Sequence, residues 1–390
     1  MKILHTSDWH LGHKLYGYDR TEEQLSFLHQ LKDIVLKQQP DLMVVSGDIF
    51  HTSIPPADVQ KMFVDALLDI HHVNSEMTIV VTAGNHDSYS RLEIDKNLWE
   101  SHRVFIIGNI GTDKDRNADY NSHIIEVRKD GRLEGYVAAV PYCYEQNFPQ
   151  VPEGVTDDRQ QYFFKTLLQT IEERNTKQLP VILMAHLTVQ SCDLTGHDGT
   201  IGNVEEIPLA DLGAGYDYVA LGHIHHAQFI HGSEHHARYS GTPIAISFDE
   251  QFEHTVTMVD IEAHHTIPQI STIEINNPHP LVTLPTEGAL SFEETLTLLH
   301  DFDPNIPAYI RLNVLASPDN YISTDAPEQA VEATNGKQCR FCIINRVIQA
   351  NTNDQNEIPT FSIQKIKELS TEDILDIAQN KSALSEEQMD

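Results

Sequence analysis

The sequence contains few cysteines and no long apolar run. Only 4 of its 390 residues are cysteine, too few for a fold held together by disulfide bonds. No apolar stretch approaches the roughly 20 residues that a membrane-spanning helix needs. The opening residues, MKILHTSDWH, lack the apolar core of a signal peptide. We therefore expect a cytoplasmic protein with no membrane segment.

Positive charge is also scarce. The chain has 26 Lys and Arg residues against 58 Asp and Glu residues, which gives a formal net charge of −32 at pH 7. A surface that binds nucleic acid is normally basic, so this balance alone argues against DNA binding. It leaves open a local basic patch, a partner chain that supplies positive surface, or divalent cations that reverse the charge of a cleft.

Two of the cysteines, Cys339 and Cys342, form a single C-x-x-C pair. A structural zinc site needs four ligands, and no second pair is present, so we interpret them as cysteines of a half-buried strand. Histidine, in contrast, occurs 23 times. Three adjacent histidine pairs lie in polar or turn-like stretches and are interpreted as surface residues: His71–His72, His235–His236 and His264–His265.

The first part of the chain alternates two kinds of segment. Short apolar runs rich in β-branched residues, such as KILHT, DLMVVSG and TIVVTAG, are separated by stretches with apolar residues at helical spacing. This order predicts a layered α/β domain with parallel strand pairs. After residue 235 the runs ARYSGTP, HTVTMVDIE and TIPQISTIEI are interpreted as antiparallel strands that complete the core.

The polar segment INNPHP, residues 275–280, predicts a domain boundary. We predict a first domain over residues 1–278 and a small α/β unit over residues 279–349. A polar linker and a helical tail then occupy residues 350–390, and the apolar faces of the tail would dock on another protein.

Five apolar runs of the first domain end in residues of the same kind. Carboxylates, imidazoles and one amide follow them, namely Asp8 and His10, then Asp48, then Asn85, His86 and Asp87, then His186, and finally His223 and His225. Because the carboxyl ends of parallel strands share one edge of a sheet, where ligands bind, we expect these side chains to converge.

The types of side chain at these strand ends indicate their chemistry. Carboxylate, imidazole and amide oxygen ligands suit Mn²⁺, Fe²⁺ or Zn²⁺. So many ligands exceed the needs of one ion and fit two ions that share a bridging ligand. Two metals about 3.5–4 Å apart hydrolyse phosphoesters by activating water and clamping phosphoryl oxygens. Each motif alone is typical of a turn or polar loop, but the five together predict a two-metal site.

In this order, the motifs D-x-H, GD, GNHD, H and GHxH resemble those of calcineurin-like metallophosphoesterases over residues 8–225. This resemblance implies an α/β fold, a four-layer α/β/β/α sandwich. The flanking stretches ILHTSDWHLG, SGDIFHTSIPP, VALGHIHHAQ and YSGTPIAISFDE resemble the SbcD family of nuclease subunits, and the unit after residue 280 resembles the capping domain of that family. Protein phosphatases are disfavoured, because they carry an arginine soon after GD and a glutamate after GNH.

The resemblance implies a role for each site residue. The residues implied for one metal are Asp8, His10 and His225, those for the other are Asn85, His186 and His223, and Asp48 would bridge both. The implied ions are two divalent cations, Mn²⁺ foremost. His86 would act near the phosphate and the leaving oxygen, and Asp87 would orient it. His51, three residues after Asp48, is a further candidate for the active site.

The same resemblance implies a DNA nuclease. The implied activities are 3′→5′ exonuclease on double strands and endonuclease on single strands or hairpins, in DNA end processing, repair, recombination and replication. The implied partner is an SbcC-type ATPase with long coiled coils, in a heterotetramer that contains a homodimer of this subunit, and the tail after residue 360 would bind the base of the coiled coil.

Two other functions stay open at this point. A small-molecule phosphodiesterase, for example one acting on cyclic nucleotides, would use the same metals. A catalytically dead scaffold is a further alternative, against which the complete ligand set argues. No DNA-contacting residue can be identified, and Lys14, Arg20 and Arg91 are interpreted as ordinary basic residues near the motifs.

Overall fold

The computed structural model describes residues 1–112, 117–196, 206–233, 235–316 and 322–348, and the following account concerns these residues. In chain order the strands are β1 (Lys2–Thr6), β2 (Lys14–Leu15), β3 (Tyr18–Asp19), β4 (Leu42–Ser46), β5 (Thr78–Thr82), β6 (Val104–Ile107), β7 (Ile124–Lys129), β8 (Arg132–Ala139), β9 (Val181–His186), β10 (Thr188–Val189), β11 (Glu206–Ile207), β12 (Tyr218–Gly222), β13 (Gln228–Phe229), β14 (Ala237–Tyr239), β15 (Thr255–Asp260), β16 (Gln269–Glu274), β17 (Leu281–Leu284), β18 (Tyr309–Ala316) and β19 (Arg340–Ile348).

The α-helices are α1 (Thr21–Gln38), α2 (Ala57–Val73), α3 (Tyr89–Leu92), α4 (Lys96–Glu100), α5 (Arg159–Glu172), α6 (Phe292–Asp301) and α7 (Ala326–Ala333). Short 3-10 helices cover Tyr120–His123, Glu145–Asn147 and Leu209–Leu212. In the part of the chain described here, we find no helix with the length and apolar character required to cross a bilayer.

Two six-stranded sheets form the main body. The first has the order β16-β15-β1-β4-β5-β6, in which β1, β4, β5 and β6 are parallel and β15 and β16 are antiparallel additions. The second has the order β13-β14-β12-β9-β8-β7, with a parallel centre of β8, β9, β12 and β14. The run ARYSGTP, which contains β14, was predicted to be an antiparallel strand. This prediction is wrong for its pairing with β12, which is parallel; β14 is antiparallel only to β13.

Successive side chains of the buried strands point to opposite faces of the sheet, so each strand packs against a helix layer on one side and against the other sheet on the other. In β4, Met43 and Val45 pack in the cluster that contains α1 and α2, whereas Leu42 and Val44 pack in the cluster between the two sheets. On the far side, the second sheet packs against α5 through residues such as Phe164. Helices therefore cover both outer faces, and the predicted four-layer α/β/β/α sandwich is confirmed.

A smaller unit follows β16 along the chain. Its sheet has the order β17-β18-β19, and α6 and α7 pack on it around a separate apolar cluster. The Tyr18 hydroxyl donates a hydrogen bond to the Phe341 carbonyl at 2.8 Å, and Arg311 pairs with Asp249 at 2.6 Å. The described residues up to Val347 fall within one compact unit. The boundaries at residues 278 and 349 stay predictions, and the predicted tail, residues 350–390, lies outside the described residues.

Candidate metal centre

The five strand ends meet at one place but come from two sheets. β1, β4 and β5 belong to the first sheet, and β9 and β12 belong to the second. Contacts across the sandwich join the two groups: the His186 Nδ1 atom lies 2.8 Å from the Ser46 carbonyl, and the His223 backbone N–H donates to Asp8 Oδ1 at 3.0 Å. The predicted convergence is therefore present, at the meeting of two sheets rather than along the edge of one.

The backbone at this place is strained. Four of the predicted ligands have positive φ angles: Asp8 (53°), His10 (43°), Asp48 (50°) and His223 (99°). Such conformations are unfavourable for residues other than glycine, by about 1–3 kcal/mol each, and they cluster at functional sites. Gly47 also has a positive φ, 85°, and a Cβ atom added there would lie 2.1 Å from His186 Nδ1. Glycine is thus required for the close approach of His186.

One group of ligands consists of Asp8, His10 and His225. Their ligand atoms all lie within 4.8 Å of one another, and the Nε2 atoms of the two histidines are 3.3 Å apart. Asp8 and His10 are buried, with 1% exposed surface each. Burial raises the pKa of the Asp8 carboxyl to about 6, and a bound cation would oppose this effect.

The second group consists of Asp48, His186 and His223, whose ligand atoms also lie within 4.8 Å of one another. Asn85 belongs to this group as well, since its Oδ1 atom lies 3.1 Å from His186 Nε2 and 3.0 Å from His223 Nδ1. The amide oxygen of this predicted ligand therefore lies close to two imidazole nitrogens, one from His186 and one from His223.

Asp48 lies between the two groups. Its Oδ2 atom is 3.7 Å from His10 Nε2 and 3.5 Å from His186 Nε2, and its Oδ1 atom accepts a hydrogen bond from the His86 backbone N–H at 2.9 Å. Burial acts to raise the pKa of Asp48, but His186 and His10 outweigh burial and hold that pKa well below its usual range. A single ionised carboxylate oxygen is thus within reach of both groups.

The hydrogen bonds of His186 test whether a cation fits here. The Ser46 carbonyl can only accept, so His186 Nδ1 carries a hydrogen and the neutral ring presents a lone pair at Nε2. That lone pair faces two other acceptors, Asn85 Oδ1 and Asp48 Oδ2. Burial lowers the pKa of His186, but the Asp48 carboxylate outweighs this effect and raises it to about 9, so a proton at Nε2 takes the position that a divalent cation would occupy. Three acceptors that converge on one point suit a divalent cation, and the ligand chemistry is that of Mn²⁺, Fe²⁺ or Zn²⁺.

Comparison with known proteins agrees with this geometry. The family model of the calcineurin-like phosphoesterases matches residues 1–227, and the chain is 31% identical over 310 residues to the SbcD subunit of nuclease SbcCD from Rhodobacter capsulatus, covering 77% of this chain and 75% of that protein. The chain belongs to the SbcD branch of the calcineurin-like phosphoesterases.

Other relatives extend the likeness along the chain. The SbcD subunit of nuclease SbcCD from Escherichia coli K12 is 26% identical over 391 residues, which cover 96% of this chain and 91% of that protein. The corresponding subunit from Bacillus subtilis is 33% identical over 268 residues, which cover 67% of this chain and 66% of that protein. The likeness to the SbcD family therefore reaches beyond the sandwich into the small unit.

In this SbcD-family chain, His86 lies at the rim of the two ligand groups. Its ring centroid is 4.9 Å from that of His10, and the side chain is half-buried. Its Nδ1 atom lies 2.9 Å from the His51 carbonyl, so Nδ1 is the donor and Nε2 is left for other contacts. His51 stacks on the same ring, with centroids 5.6 Å apart. The structure thus places both predicted histidines beside the predicted metal ligands.

Asp87 makes different contacts from those expected. Its carboxylate accepts hydrogen bonds from the backbone N–H groups of Ile49 at 3.1 Å, Phe50 at 2.9 Å and Gly84 at 2.9 Å. These bonds join the loop after β4 to the loop after β5, whereas the His86 ring donates to the His51 carbonyl. Asp87 therefore acts on the site by fixing the two loops that carry Asp48 and His86.

Glu250 is a site residue that the sequence interpretation missed. Its Oε1 atom lies 2.9 Å from His225 Nδ1, and its Oε2 atom accepts from Thr242 Oγ1 and the Ile246 backbone N–H, both at 3.1 Å. The side chain is fully buried. The contact fixes a hydrogen on His225 Nδ1 and leaves the Nε2 lone pair on the side of His10. Its only signal was its place in the family-like run YSGTPIAISFDE.

The basic residues near the motifs lie in different surroundings. Arg20 is buried, with 1% exposed surface, and donates to the Ala245 carbonyl at 2.5 Å. Lys14 and Arg91 are exposed.

The interpretation of the three histidine pairs as surface residues is wrong for His264. Its side chain is 3% exposed, and its Nδ1 atom lies 2.8 Å from the buried Asp217 carboxylate.

Proposed function

We propose that this protein is a DNA nuclease that hydrolyses phosphodiester bonds with two divalent metal ions, Mn²⁺ foremost. The position of Asp48 Oδ2, 3.7 Å from a nitrogen of one ligand group and 3.5 Å from a nitrogen of the other, carries the proposal. Asp8, His10 and His225 would hold one ion, Asn85, His186 and His223 the other, and Asp48 would bind both. The two ions would supply an activated water and neutralise charge on the phosphoryl oxygens.

His86 would serve the leaving group. Its Nδ1–H group donates a hydrogen bond to the His51 carbonyl at 2.9 Å. This bond orients the ring and leaves Nε2 on the opposite side. When the ring is doubly protonated, Nε2 can donate a proton to the departing sugar oxygen, and general acid catalysis of this kind contributes about 10²–10⁴-fold to rate. The neutral ring would recover its proton before the next cycle.

DNA is the substrate that the relatives support. The similar proteins are named as nuclease subunits of SbcCD complexes. We propose that this chain likewise acts as a 3′→5′ exonuclease on double strands and an endonuclease on single strands and hairpins, in the cytoplasm, with an SbcC-type ATPase. The net charge of −32 makes a basic partner surface the source of affinity for the DNA backbone.

A nuclease assay with a matched pair of histidine variants tests the activity. We expect Mn²⁺-dependent cleavage of a hairpin DNA by the full chain, with little turnover of a cyclic nucleotide. His86→Gln should keep two bound Mn²⁺ ions per chain and lose about 10²–10⁴-fold in rate. His72→Gln, an exposed histidine at the end of α2, is the control and should cleave at the normal rate.

The reverse preference, rapid turnover of cyclic nucleotides without DNA cleavage, would replace the nuclease proposal with a small-molecule phosphodiesterase. Loss of bound Mn²⁺ in His86→Gln would contradict the role given to this histidine, since it would then be a metal ligand.

The partner proposal depends on the predicted tail, residues 350–390. We propose that its apolar residues bind the base of the coiled coil of the ATPase, in a heterotetramer built on a homodimer of this subunit. A full-length chain carrying Ile374→Asp and Ile377→Asp should cleave single strands normally but fail to co-purify with the ATPase. Gln379→Asp adds the same kind of charge at a polar position and should co-purify. Normal co-purification of the double variant would remove this proposal.

A further inference from the structure

A cluster of imidazoles lies beside the two ligand groups. His51 stacks on His86 at an interplanar angle of 24°, and the His10 ring lies 4.9 Å from the His86 ring and 5.7 Å from the His51 ring. One ring nitrogen from each of these three residues lies within 4.8 Å of the other two. His13 flanks the cluster, with its ring centroid 4.6 Å from that of His51. We call His10, His51 and His86 the imidazole cluster.

Lone pairs are available in this cluster. His86 carries its hydrogen on Nδ1, which faces the His51 carbonyl, so Nε2 of the neutral ring is a donor atom for a metal. The buried Nδ1 atoms of His10 and His51 have no hydrogen-bond partner among the residues described. Each of these two rings therefore has a buried nitrogen to offer to a cation.

The spacing of the nitrogens suits a small ion after a slight adjustment. A zinc–nitrogen bond is about 2.0–2.1 Å long, so nitrogens in a tetrahedral site lie about 3.4 Å apart. The separations of up to 4.8 Å in the cluster require the rings to close slightly. His51 and His86 are only half-buried, so rotation of these two side chains can supply that movement.

We propose that the imidazole cluster is an inhibitory site for Zn²⁺ and similar borderline ions. Its ligands are all nitrogen, with no carboxylate of its own, and such a set favours Zn²⁺, Cu²⁺ or Ni²⁺ over Mn²⁺. The proposal rests on the proposed function, because a zinc ion here would occupy the Nε2 lone pair of His86 that handles the proton of the leaving group. It would also draw His10 away from the first metal position.

Zinc titrations of the full-length protein loaded with Mn²⁺ test the site. Calorimetry should show a zinc-binding event in the wild type. His51→Phe keeps an aromatic ring against His86 and removes both nitrogens, so zinc should bind at least about tenfold more weakly. His51→Gln, which has a smaller polar side chain, should show the same loss. His13→Phe makes the same change next to the cluster and should bind zinc as the wild type does.

Inhibition gives a second measurement. The zinc concentration that halves the Mn²⁺-dependent nuclease rate, taken relative to the zinc-free rate of each variant, should rise at least about tenfold in His51→Phe and stay unchanged in His13→Phe. Equal zinc affinity in the wild type and both His51 variants would overturn the proposal and assign zinc to the two-metal centre. An equal loss in His13→Phe would overturn it too, because the effect would then come from packing.

The two proposals can fail separately. If no variant cleaves DNA, the nuclease proposal fails, but the calorimetric comparison of His51→Phe with His13→Phe still decides whether the imidazole cluster binds zinc. If cleavage is normal and zinc binding does not depend on His51, only the zinc proposal fails.

Discussion

Replacing Glu250 by glutamine isolates one contact of the metal centre. The carboxylate accepts at both oxygens, from His225 Nδ1 at 2.9 Å on one side and from Thr242 Oγ1 and the Ile246 N–H at 3.1 Å on the other. Glutamine has one oxygen, so its NH₂ group must face a donor on one of these two sides. Either orientation weakens the support of His225 and removes a negative charge beside it.

The expected size of this effect follows from the position of Glu250 behind a ligand. Loss of a partner of this kind lowers metal affinity or activity about 10–100-fold, which corresponds to about 1.4–2.8 kcal/mol of binding free energy. The loss should be confined to the position held by Asp8, His10 and His225. The other ion should bind normally, because the Glu250 carboxylate bonds to His225, Thr242 and Ile246, of which only His225 is a proposed ligand, and it belongs to the first position.

Calorimetric titration with Mn²⁺ measures this difference. In Glu250→Gln we expect two binding events, of which one is weakened about 10–100-fold and the other is unchanged. Glu253→Gln makes the same chemical change at an exposed position three residues away and should match the wild type. Two unchanged affinities in Glu250→Gln would refute the reasoning. Equal weakening of both ions would show that the two positions are not separable.

Three further predictions concern glycine, Asp87 and the metals themselves. Gly47→Ala and Gly17→Ala place alanine at the same φ of 85°, and this backbone strain alone costs about 1–2 kcal/mol of stability in each case. Only Gly47→Ala puts a methyl group against His186, so a Mn²⁺ titration should show a lost ion in that variant alone. Asp87→Asn loses at least one of three backbone hydrogen bonds and should lower the free energy of unfolding in urea by about 1–3 kcal/mol, whereas an unchanged midpoint would contradict its role in joining the loops. Mn²⁺ at about 100 times the Kd of each site should stabilise the fold in thermal melts by about 2.7 kcal/mol per bound ion, and so by about 5 kcal/mol for two ions, and EDTA should remove this gain; an equal melting temperature with and without Mn²⁺ would contradict binding to the native state.

The sequence was informative where a side chain signals its own role. Apolar runs ending in Asp8, Asp48 and His186 predicted both the strands and the convergence of their ends, and the structure contains both. Periodicity could not tell which strands share a sheet, because that depends on packing between distant residues. For this reason the meeting of two sheets, and the parallel pairing of β14 with β12, appear only in the structure.

Contacts that involve the backbone also left no mark in the sequence. The carboxylate of Asp87 binds N–H groups, and the His86 ring binds the carbonyl of His51, so neither contact depends on the identity of the partner side chain. Glu250 meets His225 from 25 residues away in a segment with no strand or helix, where no periodicity predicts which face is buried. Local patterns could therefore point to the candidate ligands but not to the groups that hold them in place.

The bridging position of Asp48 is the central claim, and electron paramagnetic resonance of the Mn²⁺-loaded protein tests it most directly. Two Mn²⁺ ions that share a carboxylate oxygen should give a spin-coupled spectrum at two ions per chain, and Asp48→Asn should abolish the coupling and weaken the binding of both ions. A spectrum of isolated Mn²⁺ in the wild type, or a coupled spectrum that persists in Asp48→Asn, would contradict the account.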